Sequence, residues 1–403
     1  MKILVINCGS SSLKYSLFDT SCPKPLFEGL IDKIGSGQST HKMADRQGKW
    51  EKECTVEDVG KAFHTMETAL TDSGRGAIKV FSEIKAVGHR VVHGGDRFSS
   101  ASVITPEVKR AIREFSSLAP LHNPYNLAGI EEMERILPET VSVAVFDTAF
   151  HQTMPEYAYK YAIPSALTEN SHIRRYGFHG TNHNFVALMA STFINRPVDQ
   201  LSIITCHLGN GASICAIEHG LSIDTSMGFT PLEGLAMGTR CGDIDPGIVL
   251  YLLRSGIKAG DLDRLLNKES GLIGLSGISN DMREIIESAD AGMARAKNAL
   301  TIFCYRARKY IGAYSAILGR VDILVFTGGI GENSGEIRAR ICQGLDVFGI
   351  TLDGGKNREA KVKRGHIVDI SSRQSSSRVL VVAADEERMI ARETIHAMRT
   401  VSV

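Results

Sequence analysis

The chain has 403 residues, with 46 Lys and Arg against 45 Asp and Glu, for a formal net charge of +1. That length can supply two or three domains with sizeable cores. The charge balance excludes the basic surplus expected of a nucleic-acid binder or of a protein that docks on anionic membrane.

Hydrophobic residues are 43% and charged residues 23%, both ordinary for a globular protein. The 39 glycines stand out, at roughly 10% against about 7% on average. The apolar run Ile3–Ile6 is too short for a signal peptide, and no run approaches the length of a membrane span. Cysteines at 8, 22, 54, 206, 215, 241, 304 and 342 form no Cys-x-x-Cys pair. They read as reduced thiols of a cytoplasmic protein. Cys8 and Cys241 lie in glycine-rich stretches and read as small filler residues rather than reactive thiols.

The periodicity is α/β throughout. Predicted strands Lys2–Ile6 and Lys14–Phe18 flank Asn7-Cys8-Gly9-Ser10-Ser11-Ser12. Small residues there let backbone approach a ligand, hydroxyls and N–H groups can line a phosphate, and Lys14 adds a point charge. A strand over Ala86–Val92 leads into Gly88-His89-Arg90-Val91-Val92-His93-Gly94-Gly95. Arg90 at that strand end suits a carboxylate or phosphoryl group, with a structural ion pair as the alternative. Helices are predicted around 106–117 and 126–136. The strand Val141–Phe146 then delivers Asp147, where α/β proteins place functional carboxylates.

Gly177-Phe178-His179-Gly180-Thr181-Asn182-His183 precedes a helix over 182–193. His179 and His183 have zinc-like spacing, but Gly180 interrupts it, Thr181 or Asn182 reads as an N-cap, and no third ligand is indicated. Zinc is not expected. Strands Ser202–Cys206 and Ser213–Ile217 enclose His207-Leu208-Gly209-Asn210-Gly211-Ala212, a second hairpin with a small-residue turn. The two hairpins suggest duplicated halves, and two unrelated hairpins are the alternative.

Gly238-Thr239-Arg240-Cys241-Gly242-Asp243 puts Arg240 on a tight exposed loop. Helices follow around 246–255 and 281–289 and, most clearly, over Ala294–Leu318, before a strand Val321–Thr327. Thr327-Gly328-Gly329-Ile330-Gly331-Glu332-Asn333 then leads toward a helix from about Ser334. Such a turn can aim N–H groups at a nucleotide. It lacks the third glycine of a dinucleotide fingerprint, and no P-loop sequence occurs. The basic, serine-rich stretch 354–378 reads as a solvated loop or two short edge strands, ahead of a strand Arg378–Ala383. Metalloprotease, serine-hydrolase and protein-kinase signatures are absent from the sequence.

These runs occur in a familiar order: Val5–Lys14, Val87–Gly95, Ala119-Pro120-Leu121-His122-Asn123-Pro124, Phe146–His151, Tyr176–Thr181, Cys206–Gly211, Thr225–Gly234, Gly238-Thr239-Arg240 and Thr327–Asn333. Through them the chain resembles the acetate and butyrate kinase family of the actin-like ATPase superfamily over nearly its whole length. Cys8 and Gly328 stand where that family more often shows Ala, and Asp385 where it more often shows Asn. The resemblance implies an α/β fold of duplicated RNase-H-like (actin-like ATPase) domains with an inter-domain cleft. Residues 1–147 plus 385–403 would form one domain and 148–384 the other, which would carry nucleotide-binding loops. It implies an enzyme that transfers the γ-phosphoryl group of ATP reversibly and in line to acetate, giving acetyl phosphate and ADP. Mg²⁺ or Mn²⁺ would be the cofactor, and the enzyme would be a cytoplasmic homodimer.

An acetate acceptor is already ionised at neutral pH, so no base is needed to make the nucleophile. The difficulty is bringing two anions together, which calls for positioning and cations. By resemblance, Arg90 and Arg240 would hold acetate and the transferring group, and His179 would donate to its equatorial oxygens. The family description makes Asp147 a proton donor or acceptor. The chemistry asks only that it orient Arg90 or a metal-bound water. Lys14 with His207, Leu208, Gly209, Asn210 and Gly211 would bind phosphates. Asp281, Met282, Arg283, Gly329, Ile330, Gly331, Glu332 and Asn333 would hold the nucleoside end. Asn7 and Glu386 would position the metal, largely through water. Val92, Leu121, Phe178 and Pro231 would wall the acceptor pocket, with Val92 favouring acetate over propionate. The competing readings are a propionate kinase and an actin-like ATP switch without acceptor; Arg90, Arg240 and His179 speak against the second.

Overall fold

The computed structural model describes residues 1–22 and 24–401, so residues 402 and 403 of the expected C-terminal segment lie outside the described residues. The chain divides into two compact units, Met1–Phe150 with the segment from Glu386, and His151–Asp385.

The first unit holds β1 (Lys2–Cys8), β2 (Ser12–Asp19), β3 (Phe27–Asp32), β4 (Ser39–Asp45), β5 (Gly48–Cys54), β6 (Ile84–Val91), β7 (Ser102–Val103) and β8 (Val141–Phe146). They form one sheet in the order β5-β4-β3-β2-β1-β6-β8-β7. Strand side chains alternate between faces, and β1 is apolar on both. Leu4 and Ile6 pack with Leu13, Tyr15, Phe63, Met66 and Met133, beneath helices Val59–Thr71 and Asn123–Ile136. Ile3 and Val5 pack with Val143, Val145 and Ile390, against the C-terminal helix Glu386–Val401.

The second unit holds β9 (Ser202–Leu208), β10 (Ala212–Glu218), β11 (Leu221–Thr225), β12 (Ile323–Thr327), β13 (Ile367–Asp369) and β14 (Arg378–Val382). Their order is β11-β10-β9-β12-β14-β13. The runs β3-β2-β1-β6-β8 and β11-β10-β9-β12-β14 match in sense as well as order. In each, two antiparallel pairings are followed by two parallel ones. The turns differ by one residue: Cys8 pairs with Leu13 and Gly9 N–H donates to Ser12 O at 2.8 Å, whereas Leu208 pairs with Ala212 and Gly209 N–H donates to Gly211 O at 3.0 Å. The fold is thus two copies of an RNase-H-like core.

Every predicted strand is present. Those not anticipated include β5, whose sequence Gly-Lys-Trp-Glu-Lys-Glu-Cys is mostly exposed. Charged residues keep such an edge from pairing with other chains, and they also erase the alternating pattern. The stretch 354–378, expected to be a solvated loop or two short edge strands, supplies one edge strand, β13, with more structure besides. It contains a helix, Gly354–Glu359, the short strand β13 and a bridge between Leu352 and Ser371. Its Asn357, Ser371 and Ser377 are buried. Each has a buried partner: Arg338, itself wholly buried, donates to the Asn357 side chain and carbonyl, Ser371 Oγ accepts from Val379 N–H, and Ser377 Oγ donates to the Val321 carbonyl. Among the described residues, no helix is long and apolar enough to cross a membrane.

Candidate active site

In the first unit, β6 and β8 pair in parallel, with Arg90 opposite Val145. Asp147 follows β8, and its N–H donates to Val91 O at 3.0 Å. This brings its carboxylate onto the Arg90 guanidinium. Arg90 Nε lies 3.2 Å from Oδ1 and 3.0 Å from Oδ2, and Nη2 lies 2.6 Å from Oδ2. Glu386 adds a second carboxylate 4.0 Å from Arg90 Nε. Burial opposes the charge on Arg90, but Asp147 and Glu386 outweigh it and hold the pKa above the ordinary value. Burial pushes the Glu386 carboxyl up despite Arg90. Asn7 on β1 lies opposite Lys14 on β2, and Lys14 is ion-paired with Glu387. Asn7, Lys14, Arg90, Asp147 and Glu386 therefore gather at one end of this sheet.

Two asparagines on the helix Asn123–Ile136 fix the end of β6. Val92 N–H donates to Asn126 Oδ1 at 3.0 Å, and Asn126 Nδ2 donates to Cys8 O at 2.8 Å. Asn123 brackets His93, accepting from its N–H at 3.0 Å and donating to its carbonyl at 2.9 Å. Val92 is buried, whereas Leu121 is 58% exposed. Cys8 packs against Gly129, where a Cβ would lie 2.7 Å from the Cys8 Cβ, and burial pushes its thiol up to about 12. It is a core residue.

In the second unit, His179 precedes the helix Gly180–Phe193 with a left-handed backbone, φ 58°. Neither Thr181 nor Asn182 caps that helix. Asn182 is buried, and its Nδ2 lies 2.8 Å from His207 Nδ1. The His179 and His207 rings stack, with centroids 4.2 Å apart at 21°. His179 Nδ1 lies 2.9 Å from Ser213 Oγ. Both nitrogens of His183 face hydroxyls, Thr205 Oγ1 and Ser213 Oγ, each at 2.7 Å.

The loop carrying Arg240 is tucked in rather than exposed. Gly238 N–H donates to Asn210 O at 2.9 Å, and a Cβ at Gly238 would overlap Asn210. A Cβ on Gly211 would lie 3.4 Å from His179 Cε1 and 3.5 Å from Arg240 Nη1. Gly211, His179 and Arg240 thus converge on one spot. Among the described residues Arg240 pairs with no carboxylate. Its contacts are the Pro231 carbonyl at 3.4 Å and the Met237 sulfur at 3.8 Å, and burial lowers its pKa. Phe178 is buried, and its carbonyl faces His151 Nε2 at 3.1 Å.

A cavity of about 900 Å³ opens beside this spot, lined by Gly209, Asn210, Asn280, Asp281, Met282, Arg283, Ile286, Glu287, Gly329, Ile330, Asn333 and Ser334. Asp281 caps the helix Met282–Asp290, and the side chain and N–H of Arg283 hold its carboxyl down at about 2. Most residues expected at the nucleoside end share this wall; Gly331 and Glu332 do not. The Glu332 carboxylate turns inward and accepts from Gly328 and Ala384 N–H, both at 2.9 Å, and burial raises its pKa. The glycine run itself is helical, Gly328–Asn333. Arg338 donates to the carbonyls of Gly331 at 2.8 Å and Glu332 at 3.0 Å, holding the end of that helix. Among the described residues, no group of three or more His, Cys, Asp and Glu could hold a metal ion.

Residues 2–392 match the family model described as the acetokinase family. An acetate kinase of Alkaliphilus metalliredigens is 52% identical over 396 residues, covering 98% of this chain and 99% of that one. A crystal structure of Porphyromonas gingivalis acetate kinase superposes with a TM-score of 0.93 at 45% identity, covering 98% of this chain and 99% of that one. A propionate kinase from Francisella tularensis superposes at 0.91 with 41% identity and the same coverage, 98% and 99%.

Proposed function

The chain belongs to the acetokinase family, enzymes that transfer the γ-phosphoryl group of ATP reversibly to acetate, and we propose how its side chains divide that task. The observation that carries the proposal is Arg240, a half-buried guanidinium with no carboxylate partner among the described residues, converging with His179 and Gly211. A desolvated cation left unpaired in the protein is best satisfied by an anion that arrives from outside. Arg240 and His179 take the transferring phosphoryl group. Arg90, held rigidly by Asp147, takes the acetate carboxylate.

Lys14 with His207, Leu208, Gly209, Asn210 and Gly211 carries the ATP phosphates. Asp281, Met282, Arg283, Gly329, Ile330 and Asn333 hold the nucleoside end in the 900 Å³ cavity. Gly331 and Glu332 support that wall from behind. Asn7 and Glu386 offer oxygen donors, the kind that suits a hard divalent ion keeping several waters. Mg²⁺ or Mn²⁺ held there would neutralise phosphate charge. Val92, Leu121, Phe178 and Pro231 bound the acceptor site.

The apolar helix Pro246–Arg254 buries no residue and exposes Ile248, Leu250, Tyr251 and Leu253. It is the face we assign to a homodimer. The eight free cysteines fit a cytoplasmic enzyme. Replacing Arg240 by Ala tests the central assignment. Acyl phosphate synthesis should fall on the order of 100-fold or more; an unchanged rate would refute it.

A further inference from the structure

Ser213, His183 and Thr205 lie behind His179 and belong to none of the roles above. They come from three elements. Ser213 is on β10, Thr205 on β9 and His183 on the helix Gly180–Phe193. All three side chains are fully buried. They make a continuous line of contacts: Thr205 Oγ1 to His183 Nδ1 at 2.7 Å, His183 Nε2 to Ser213 Oγ at 2.7 Å, and Ser213 Oγ to His179 Nδ1 at 2.9 Å.

The protons in this line can be counted. Ser213 has one hydroxyl proton and faces two imidazole nitrogens, so it donates to one ring and accepts from the other. His183 carries a single ring proton, because burial, His151 and His207 hold its pKa well below 6.5. His179 stacks on His207 at 4.2 Å, a geometry that disfavours charge on both rings. A neutral His179 can donate through Nε2 only if its Nδ1 accepts. That single requirement sets every other bond in the line. Ser213 donates to His179 Nδ1, His183 Nε2–H donates to Ser213, and Thr205 donates to His183 Nδ1.

We propose that Thr205, His183 and Ser213 form a one-directional hydrogen-bond chain that fixes His179 as a neutral Nε2–H donor aimed at the transferring phosphoryl group. They are positioning residues. No proton leaves the chain, and no bond other than hydrogen bonds changes. The proposal rests on the reading of His179 as a phosphoryl donor, and its test separates the two.

Ser213→Ala removes only the hydroxyl. It should lower kcat about 10-fold or more, the scale seen when the outer partner of a functional histidine is lost. KM for ATP and for acetate should stay within about threefold, since binding contacts are untouched. In a His179→Ala background the same substitution should cost nothing further, because the ring it serves is gone. A full-activity His179→Ala enzyme would overturn the reading of His179 and the chain with it. An impaired His179→Ala enzyme that loses the same factor again on Ser213→Ala would overturn the chain alone, since a structural role acts in both backgrounds. Nitrogen-15 spectra of the histidine rings in the unsubstituted enzyme give a second measurement. His179 Nδ1 should be unprotonated and Nε2 protonated; the opposite tautomer would overturn the proposal.

Discussion

Asp147 grips Arg90 through both carboxylate oxygens, with Nη2 2.6 Å from Oδ2 and Nε 3.0 Å from the same oxygen. A side-on, two-point contact of this kind fixes the plane of the guanidinium as well as its position. This contact supports the proposed role of Asp147 as an orienting group, which is all that an already ionised acceptor requires.

Asp147→Asn keeps the shape and loses the charge. The rate should fall on the order of 100-fold, equally across pH 6 to 9, because a positioning defect does not titrate. A pH–rate profile decides it. Loss of the acidic limb with a normal rate at high pH would make Asp147 a titrating base.

Val92 is buried at the end of β6, with its N–H fixed by Asn126. Val92→Ala should improve propionate relative to acetate. The gain in the ratio of catalytic efficiencies is limited, since one methylene is worth only about 1–3 kcal/mol. An unchanged ratio would remove Val92 from the acceptor pocket.

Arg338 is wholly buried and donates to the Gly331, Glu332 and Asn357 carbonyls and to Asn357 Oδ1. Burial lowers its pKa to about 10, so it remains charged at neutral pH. Arg338→Met strands those acceptors, at about 1–3 kcal/mol for each left unsatisfied. Urea unfolding should show a loss of at least about 3 kcal/mol, and KM for ATP should rise as the glycine-rich helix loosens. A stability loss without any change in KM would detach Arg338 from the nucleotide wall.

Burial holds His41 at about 4, His89 at about 3 and His93 at about 4, and His183 well below 6.5. In the unfolded chain each takes its proton near pH 6.5. Their folded pKa values are depressed, so the stability linked to them is full above about pH 6.5 and is lost as pH falls toward about 4. Each contributes about 1.4 kcal/mol per pH unit inside that window. His41, His89 and His93 lie in the first unit and His183 in the second. Urea unfolding should therefore show stability falling as pH drops from 7 to 5.5. Glu332, Glu386 and Glu393, whose carboxyls burial raises, act in the opposite sense nearer the carboxylate range. Stability unchanged over that range would contradict the assignment.

The candidate site is legible in the sequence where its residues lie in short contiguous runs. Asn7 to Lys14, Arg90 with its glycines, and His207 to Gly211 are each a strand end plus a turn, so local pattern and chemistry coincide. The repeated hairpin was legible for the same reason. What stayed hidden depends on distant pairing. Ser213 reaches His179 across 34 residues, and Asn126 reaches Cys8 across 118. Neither Ser213 nor Asn126 carries a local signature. Glu332 shows the reverse: it sits inside a nucleotide-like run, but its carboxylate holds Gly328 and Ala384. Arg338 carries no local signature either; its acceptors come from Gly331, Glu332 and Asn357, which the fold brings around it.

The most direct measurement is the initial rate of acyl phosphate formation, trapped as the hydroxamate, with ATP and Mg²⁺ and with acetate, propionate or no acid. The rate should be highest with acetate and lower with propionate, and no acyl phosphate should form without acid. ATP hydrolysis that proceeds equally in all three, with no acyl phosphate formed, would contradict transfer to acetate.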